Sequence, residues 1–486
     1  MESSGLQRAK SGMKILKLDS KPVSLRPFYG LGAQADGHIY DSRNARYGVG
    51  KQDWELIERR LARLKLANAR MFLDLRWFSP GLEAEGLGTE SEDARCCVEQ
   101  IARHRKNGTL CNLVLFQPIP RRPDEVSKLV DIFMALVERL ADREGLGNIR
   151  WITLWNEPDS QFLHESALMR RVFGDDAFAG RLGWEHYASA NRQAYRELEL
   201  RGLSRQVQLM VADCVWGAQV RAERMRLALE TFGEMDVAYS YHNYNPENPD
   251  FYRGNPDFAY EGMGQEAAKF RKWLGNERPL LLTEFNAVGD GFSSSFMGCG
   301  PAGVEVHGSV EGAVTVADKV LKAAAEGVDG FTIWLLHDIV IPCAESVGPF
   351  RHGLWRYKSE GWHPRPAYHY YSALMDAFRP GCAIYRVRGA GTTLGALGCI
   401  EGEYRRLAAL NTGRRPARVR FEFGGMSGSM SLRRVDPARL PAVSDMPVYS
   451  EETADVKAEI VLAPGELVIA QACTSGWPQD RQAKEA

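Results

Sequence analysis

Two glutamates stand in settings that packing alone does not explain. Glu157 lies near the end of Trp151-Ile-Thr-Leu-Trp-Asn-Glu-Pro-Asp159, an apolar, β-branched run with the texture of a strand buried on both faces. Pro158 has no N–H for a ladder bond, so that strand must stop there. Glu284 closes a second run of the same texture, Leu280-Leu-Leu-Thr-Glu284. A carboxylate at such a strand end opens onto whatever pocket the strand ends surround. Two of them facing each other suit cleavage of a glycosidic bond: one is held protonated to supply the leaving oxygen, the other is ionised to attack the anomeric carbon. Other strand ends offer Arg70, Gln117, Asn156, Asp213, Trp216, His242, Tyr244, Asn286, Trp334, His337 and Asp338.

The elements that must position these residues alternate along most of the chain. Strands are expected to begin near Phe28, Met71, Leu113, Ile152, Val207, Val237, Leu280 and Phe331. Each is followed by a helical stretch; the first, from Gln52 to Ala69, carries Trp54, Ile57, Leu61 and Leu64 at helical spacing. Strict βα alternation implies a parallel sheet, and eight units predict a closed (β/α)8 TIM barrel over residues 21–379, with its site at the carboxyl ends of the strands. A doubly wound open sheet is the competitor. It lacks support, because Gly30-x-Gly32 has no third glycine at the offset a dinucleotide loop needs and is better read as strand glycines.

Beyond Arg379-Pro-Gly381 the texture changes to short β-rich segments at 383–387, 392–397, 405–411, 417–423, 430–435 and 459–462. They predict a C-terminal antiparallel β-sandwich domain over 380–475, with 439–455 as a loop on it. In the leader, 1–20, the alternating segment Met13–Leu18 is free to join that domain, since termini often lie close together. The tail, 476–486, is expected to be flexible.

Composition narrows the function from the other side. A net charge of -1 over 486 residues argues against a nucleic-acid or membrane-surface binder. No apolar run is long enough to span a bilayer, and no apolar core with a cleavage site opens the chain. Nine cysteines without repeated spacing fit a reducing compartment, so the expectation is cytoplasmic. His337, His352, His363, His369 and Cys343 match no metal-ligand spacing; no metal and no organic cofactor is expected.

The motifs resemble a known clan. Leu154-Trp-Asn-Glu-Pro158 is similar to the strand-four motif of the retaining glycoside hydrolases of clan GH-A, and Leu282-Thr-Glu-Phe-Asn286 to their strand-seven nucleophile motif. Ser240-Tyr-His-Asn-Tyr244 resembles the strand-six His-x-Tyr, and Phe331-Thr-Ile-Trp334 the strand-eight tryptophan. The Thr-Glu-Phe-Asn form, with Pro349-Phe-Arg-His-Gly-Leu-Trp355 and Pro364-Arg-Pro-Ala-Tyr368, looks most like glycoside hydrolase family 39, which holds β-xylosidases and α-L-iduronidases. The resemblance covers about residues 28 to 378.

It implies Glu157 as general acid/base and Glu284 as nucleophile, Asn156 on the sugar 2-hydroxyl, Tyr244 donating to the nucleophile, and Trp334 flooring the subsite. His242 would orient one of the glutamates, and Arg70 would keep Glu284 ionised, unless it pairs instead with Asp74. Asn286, Gln117 and Asp338 are further sugar contacts by position. The partner is then a carbohydrate, a small β-xyloside-like glycoside cleaved from its end, with an acidic sugar or an exopolysaccharide as alternatives. The same residues would serve a transglycosylase. A carbohydrate-binding barrel without turnover is the rival from another class, and the presence of both glutamates speaks against it. The inserts 161–183 and 292–307 must shape the pocket, and Arg170, Arg171 and Arg181 in the first stand beside Asp175 and Asp176.

Overall fold

The computed structural model describes residues 12–35, 42–244, 262–287, 306–340, 349–441 and 449–474. The first part of the leader, the tail, Cys343 and residues 292–305 of the second insert lie outside the described residues.

The chain opens with β1 (Lys14–Pro22) and then enters the barrel. Its strands are β2 (Gly30–Gln34), β3 (Asn68–Leu73), β4 (Leu110–Leu115), β5 (Ile149–Thr153), β6 (Gln208–Cys214), β7 (Ala238–Asn243), β8 (Leu280–Phe285) and β9 (Gly330–Ile333). They close in chain order, and β9 returns to β2 through parallel pairs from Gly30↔Gly330 to Ala33↔Ile333. This is the predicted (β/α)8 barrel. Gly32 is needed for the closure: a Cβ there would lie 2.0 Å from the Asn68 carbonyl oxygen.

One long helix follows each strand: α1 (Lys51–Leu64), α2 (Glu92–Lys106), α3 (Pro123–Glu138), α4 (Trp184–Leu200), α5 (Ala218–Phe232), α6 (Met263–Leu274), α7 (Val310–Ala325) and α8 (Pro366–Ala377). Local chemistry starts them. Ser91 and Ser309 accept the backbone N–H of Ala94 and Gly312, capping α2 and α7, and proline stands at the first turn of α3 and α8. The insert at 161–183 adds a short helix, Ala167–Phe173. Among the described residues no helix is long and apolar enough to cross a membrane.

Inside the barrel, Trp151, Met210, Ala238 and Leu281 form an apolar plug. Alternation then dictates which later residues face inward, and two irregularities override it. The β6–β7 register slips between Ala212 and Cys214, and the β8–β9 register between Leu282 and Phe285. On straight strands the inward parity of Met210 and Leu281 would send Asp213 inward on neither count and Glu284 toward the helices. The slips turn both carboxylates into the barrel.

The second domain contains β10 (Ala383–Arg388), β11 (Leu394–Glu401), β12 (Tyr404–Asn411), β13 (Ala417–Glu422), β14 (Ser429–Val435), β15 (Ser450–Asp455), β16 (Ile460–Leu462) and β17 (Leu467–Cys473). Together with β1 they form a nine-stranded sheet in the order β15-β14-β17-β12-β11-β10-β1-β13-β16, curled so that both ends share one core. The expected sandwich is there, with two corrections. The segment 439–455 is not all loop, because β15 pairs with β14 along its edge. The sheet is also not wholly antiparallel: β1 inserts between β10, antiparallel, and β13, parallel. The other sheet face joins the barrel core. Leu407 and Ala409 of β12 face the sandwich interior, while Ala408 and Leu410 face the barrel side.

Candidate active site

Arg70 is the hub of a polar cluster at the carboxyl ends of the strands. It has no exposure, and its guanidinium reaches four partners. Nη1 donates to Glu284 Oε1 at 2.5 Å and to Gln34 Oε1 at 3.0 Å. Nη2 donates to Asn156 Oδ1 at 2.7 Å and to Asp213 Oδ2 at 2.8 Å. The fork geometry suits a guanidinium held between two carboxylates, which a lysine could not match. Asp74, the alternative partner, is instead taken by the side chain of Arg76 at 2.6 Å.

His242 lies across from Arg70 and bridges three carboxylates. Its Nε2 is 3.1 Å from Asp213 Oδ1; its Nδ1 is 3.1 Å from Glu157 Oε1 and 3.5 Å from Glu284 Oε2. Burial opposes a charge on the ring, but the Glu284 and Asp213 carboxylates overcome it and raise the imidazole pKa to about 10. Both ring nitrogens face carboxylate oxygens, the arrangement that suits an imidazolium donating from each. Burial likewise works against ionisation of Asp213, yet His242 and Arg70 hold its carboxyl far below the usual range.

The two glutamates have different surroundings. The Glu284 side chain is 4% exposed and receives Arg70, His242 and the Tyr244 hydroxyl, which donates to Oε2 at 2.8 Å. Burial raises its pKa, with the His242 and Arg70 charges pulling the other way. Burial also keeps Tyr244 a neutral phenol, a donor that will not ionise against its partner. The Glu157 side chain is 26% exposed and meets only His242 among the described charged groups near it. It follows β5 with φ 49, two residues after Trp155 at φ 62. Left-handed backbone at two non-glycine positions is strain of the kind that gathers at working sites. Trp155 anchors the turn by packing on Phe162, and Ser160 returns both its N–H and its hydroxyl to the Glu157 carbonyl. Oxygens of Glu157 and Glu284 and a ring nitrogen of His242 all lie within 4.8 Å of one another.

Such a trio has the spacing of a cation site, and among the described residues it alone does. The ring nitrogen in that trio is Nδ1, which stands between both glutamates and, when protonated, is a donor to them rather than a ligand. The carboxylates of Glu284, Asp213 and Glu157 all favour that proton.

The remaining predicted residues divide. Asn156 lends Oδ1 to Arg70, which leaves its amide N–H groups as what it can offer a ligand. Trp334 is 8% exposed beside Phe72, whose ring stacks on Phe116 at 4.2 Å, giving an apolar wall next to Arg70. Three expected sugar contacts are otherwise engaged. Asp338 has no exposure, and both its oxygens accept from Arg365 at 2.9 Å, with Gly353 N–H on one of them. Asn286 donates to the carbonyls of Trp334 and His352 and so holds the turn after β9. Gln117 donates to Asp74. Arg170 in the first insert pairs with Glu165 and Asp175, as a solvated loop would.

Three residues joined the cluster without being assigned to it from the sequence: Gln34, Asp213 and Asp159. Asp159 is fully buried and accepts the N–H groups of Val215 and Trp216, tying the turn after Glu157 to the segment after Asp213. Only Asp213, a charge at a strand end, gave any signal.

Fold and site together define the class: a (β/α)8 barrel with a charged cluster at its strand ends and a β-domain completed by the N-terminal strand. Solved structures of this architecture match nearly the whole chain. A glycoside hydrolase family 30 subfamily 8 xylanase from Clostridium acetobutylicum matches with TM-score 0.61 and 10% identity, over 94% of this chain and 99% of its own. A family 39 enzyme from Xanthomonas axonopodis pv. citri gives 0.58 and 13%, over 96% and 99%. An α-L-arabinofuranosidase from Thermotoga maritima, in complex with arabinose, gives 0.60 and 13%, over 95% and 100%. At such identities the likeness establishes the fold. No family model and no curated protein matches the chain by sequence.

Proposed function

We propose that the chain is a retaining glycoside hydrolase of the clan GH-A type, working by double displacement. The observation that carries this reading is the approach of Glu157 and Glu284 within 4.8 Å. Retaining enzymes hold their carboxyls about 5–5.5 Å apart, whereas inverting ones need about 6.5–9.5 Å to seat a water. The unequal surroundings distribute the roles. Glu284, gripped by two cations and a phenol, is the anion that attacks the anomeric carbon. Glu157, more exposed and touching one donor, protonates the leaving oxygen and then takes the proton of the water that releases the sugar. Asn156 is placed for the 2-hydroxyl, and Trp334 with Phe72 for the apolar sugar face. The names of two of the similar structures, a xylanase and an α-L-arabinofuranosidase, favour pentose-containing substrates; a small β-xyloside cleaved from its end is the specific form of the proposal.

The test is a panel of nitrophenyl glycosides with the wild-type protein and Glu284→Gly. The variant should be inactive and should form a glycosyl azide when azide is added. Binding without turnover by the wild type would point to a silent carbohydrate-binding barrel. Wild-type turnover with no azide rescue would remove Glu284 as nucleophile.

A further inference from the structure

Asp213 touches neither carboxylate of the proposed displacement, yet it stands behind both. It is fully buried, at the register slip of β6, where Ala212 and Asp213 have φ values of 77 and 48. Each such non-glycine position costs about 1–3 kcal/mol of backbone strain. What the strain obtains is a carboxylate turned into the barrel and fully engaged. Oδ2 accepts from Arg70; Oδ1 accepts from His242, from the Ser240 hydroxyl at 2.9 Å and from the Thr283 hydroxyl at 2.8 Å. Asp159 clamps Val215 and Trp216, two and three residues further on, by their N–H groups. The other arm of Arg70, Nη1, holds Glu284, while Nη2 is shared between Asp213 and Asn156, and the far nitrogen of His242 faces Glu157 and Glu284.

We infer that Asp213 is a positioning residue: by gripping Arg70 and His242 from behind, it aims both toward the glutamates and keeps His242 a double donor. For its activity arm this rests on the glycosidase reading above. The charged and titratable groups facing His242 are Asp213 from β6, Glu157 after β5, Glu284 from β8 and, next to these, Arg70 from β3 and Tyr244 after β7. Removing Asp213 leaves the ring only carboxylates that the reaction itself neutralises, one by protonation and one by glycosylation.

The experiment compares the wild type with Asp213→Asn, which keeps the shape and discards the charge. Nitrogen-15 NMR of the histidine rings reads the result without any substrate. In the wild type His242 should keep both ring protons from about pH 5 to 9, and in the variant it should lose one inside that range. With the aryl glycoside that the wild type cleaves, kcat should fall on the order of 10²-fold with KM little changed, and fall further as pH rises through the new ionisation. Identical His242 titration in the two proteins overturns the inference, even if activity drops. Should Asp213→Asn not fold, the wild type alone decides: a His242 that deprotonates below about pH 7 overturns it. A wild type that cleaves no glycoside defeats the glycosidase reading instead, and leaves the NMR comparison to judge Asp213.

Discussion

Replacing Arg70 with methionine removes one unit of positive charge while nearly preserving volume, and the structure sets the size of the effect. The guanidinium is buried between Glu284 at 2.5 Å and Asp213 at 2.8 Å. Two unit charges some 4 Å apart interact by about 4 kcal/mol at the effective dielectric that suits protein sites. Breaking one buried pair by deleting a partner costs about 3–5 kcal/mol of stability. The loss should appear as a lower urea midpoint with the slope unchanged. In catalysis the missing cation favours protonated Glu284, whose pKa burial has already raised. If the attacking anion loses about 4 kcal/mol of support, kcat/KM near neutral pH falls roughly 10³-fold. The sign on the pH axis follows: Arg70 favours the anion, so without it activity is lost at a higher pH as the solution is acidified. Arg70→Lys keeps the charge but cannot reach four acceptors with a planar fork, so it should recover only part of the rate. An Arg70→Met protein with kcat/KM within about threefold of wild type, and an unmoved acidic limb, would refute the assignment of Arg70 and Glu284 as a working pair.

Asp338→Ala should leave the Arg365 charge buried without its carboxylate and cost about 3–5 kcal/mol in urea unfolding, with KM unmoved. A KM that rises tenfold or more at unchanged stability would return Asp338 to the sugar. Burial raises the Asp159 carboxyl from 3.8 to about 6. The folded state thus binds its proton more tightly than the unfolded chain, so its contribution is complete below pH 3.8 and lost as pH rises through about 6. A gap of that size is worth roughly 3 kcal/mol, and urea midpoints of Asp159→Asn between these pH values should be flatter than those of the wild type by about that amount. Parallel curves would show that Asp159 is ionised throughout.

The barrel was legible because its strands are buried on both faces and its helices are amphipathic, so the two textures alternate cleanly. The pair proposed as catalytic was legible through motifs rather than through parity: alternation alone turns Glu284 outward, and the register slip brings it in. Asp213 shares that geometry but belongs to no motif, so its place at a strand end was visible in the sequence and its partners were not. Asp338 and Asn286 are the opposite case and turn out to have partners within the protein. Their positions at strand ends are right, and the sequence cannot reveal that Arg365 and two carbonyls claim them first. In the second domain, Ser450–Asp455 is an edge strand with its side chains mostly exposed, which removes the hydrophobic period that marks a strand. Leu467–Cys473 lies between two cores, Val468 and Ala470 in one, Leu467 and Ile469 in the other, so its run shows no alternation either.

That shared core gives the β-domain a bearing on the site. β11 crosses α7 so closely that a Cβ on Gly395 would lie 2.7 Å from Asp318 Oδ1 and 3.2 Å from Leu321. Arg386 of β10 adds a bond to the Ala325 carbonyl at the end of the same helix. On its opposite side α7 sends the fully buried Lys319 into the barrel, where Nζ donates to the Asn286 carbonyl at 3.0 Å and reaches the Asn243 carbonyl at 3.4 Å. Those carbonyls lie two residues past Glu284 and one before Tyr244. The helix that fixes the ends of β7 and β8 is therefore held between barrel and sheet, and the alignment of Tyr244 with Glu284 depends on how the sheet seats it. A displacement of about 1 Å at a reacting group is enough to cost about 10²-fold in rate, so under the proposed mechanism the seating of α7 on the sheet should bear on the rate.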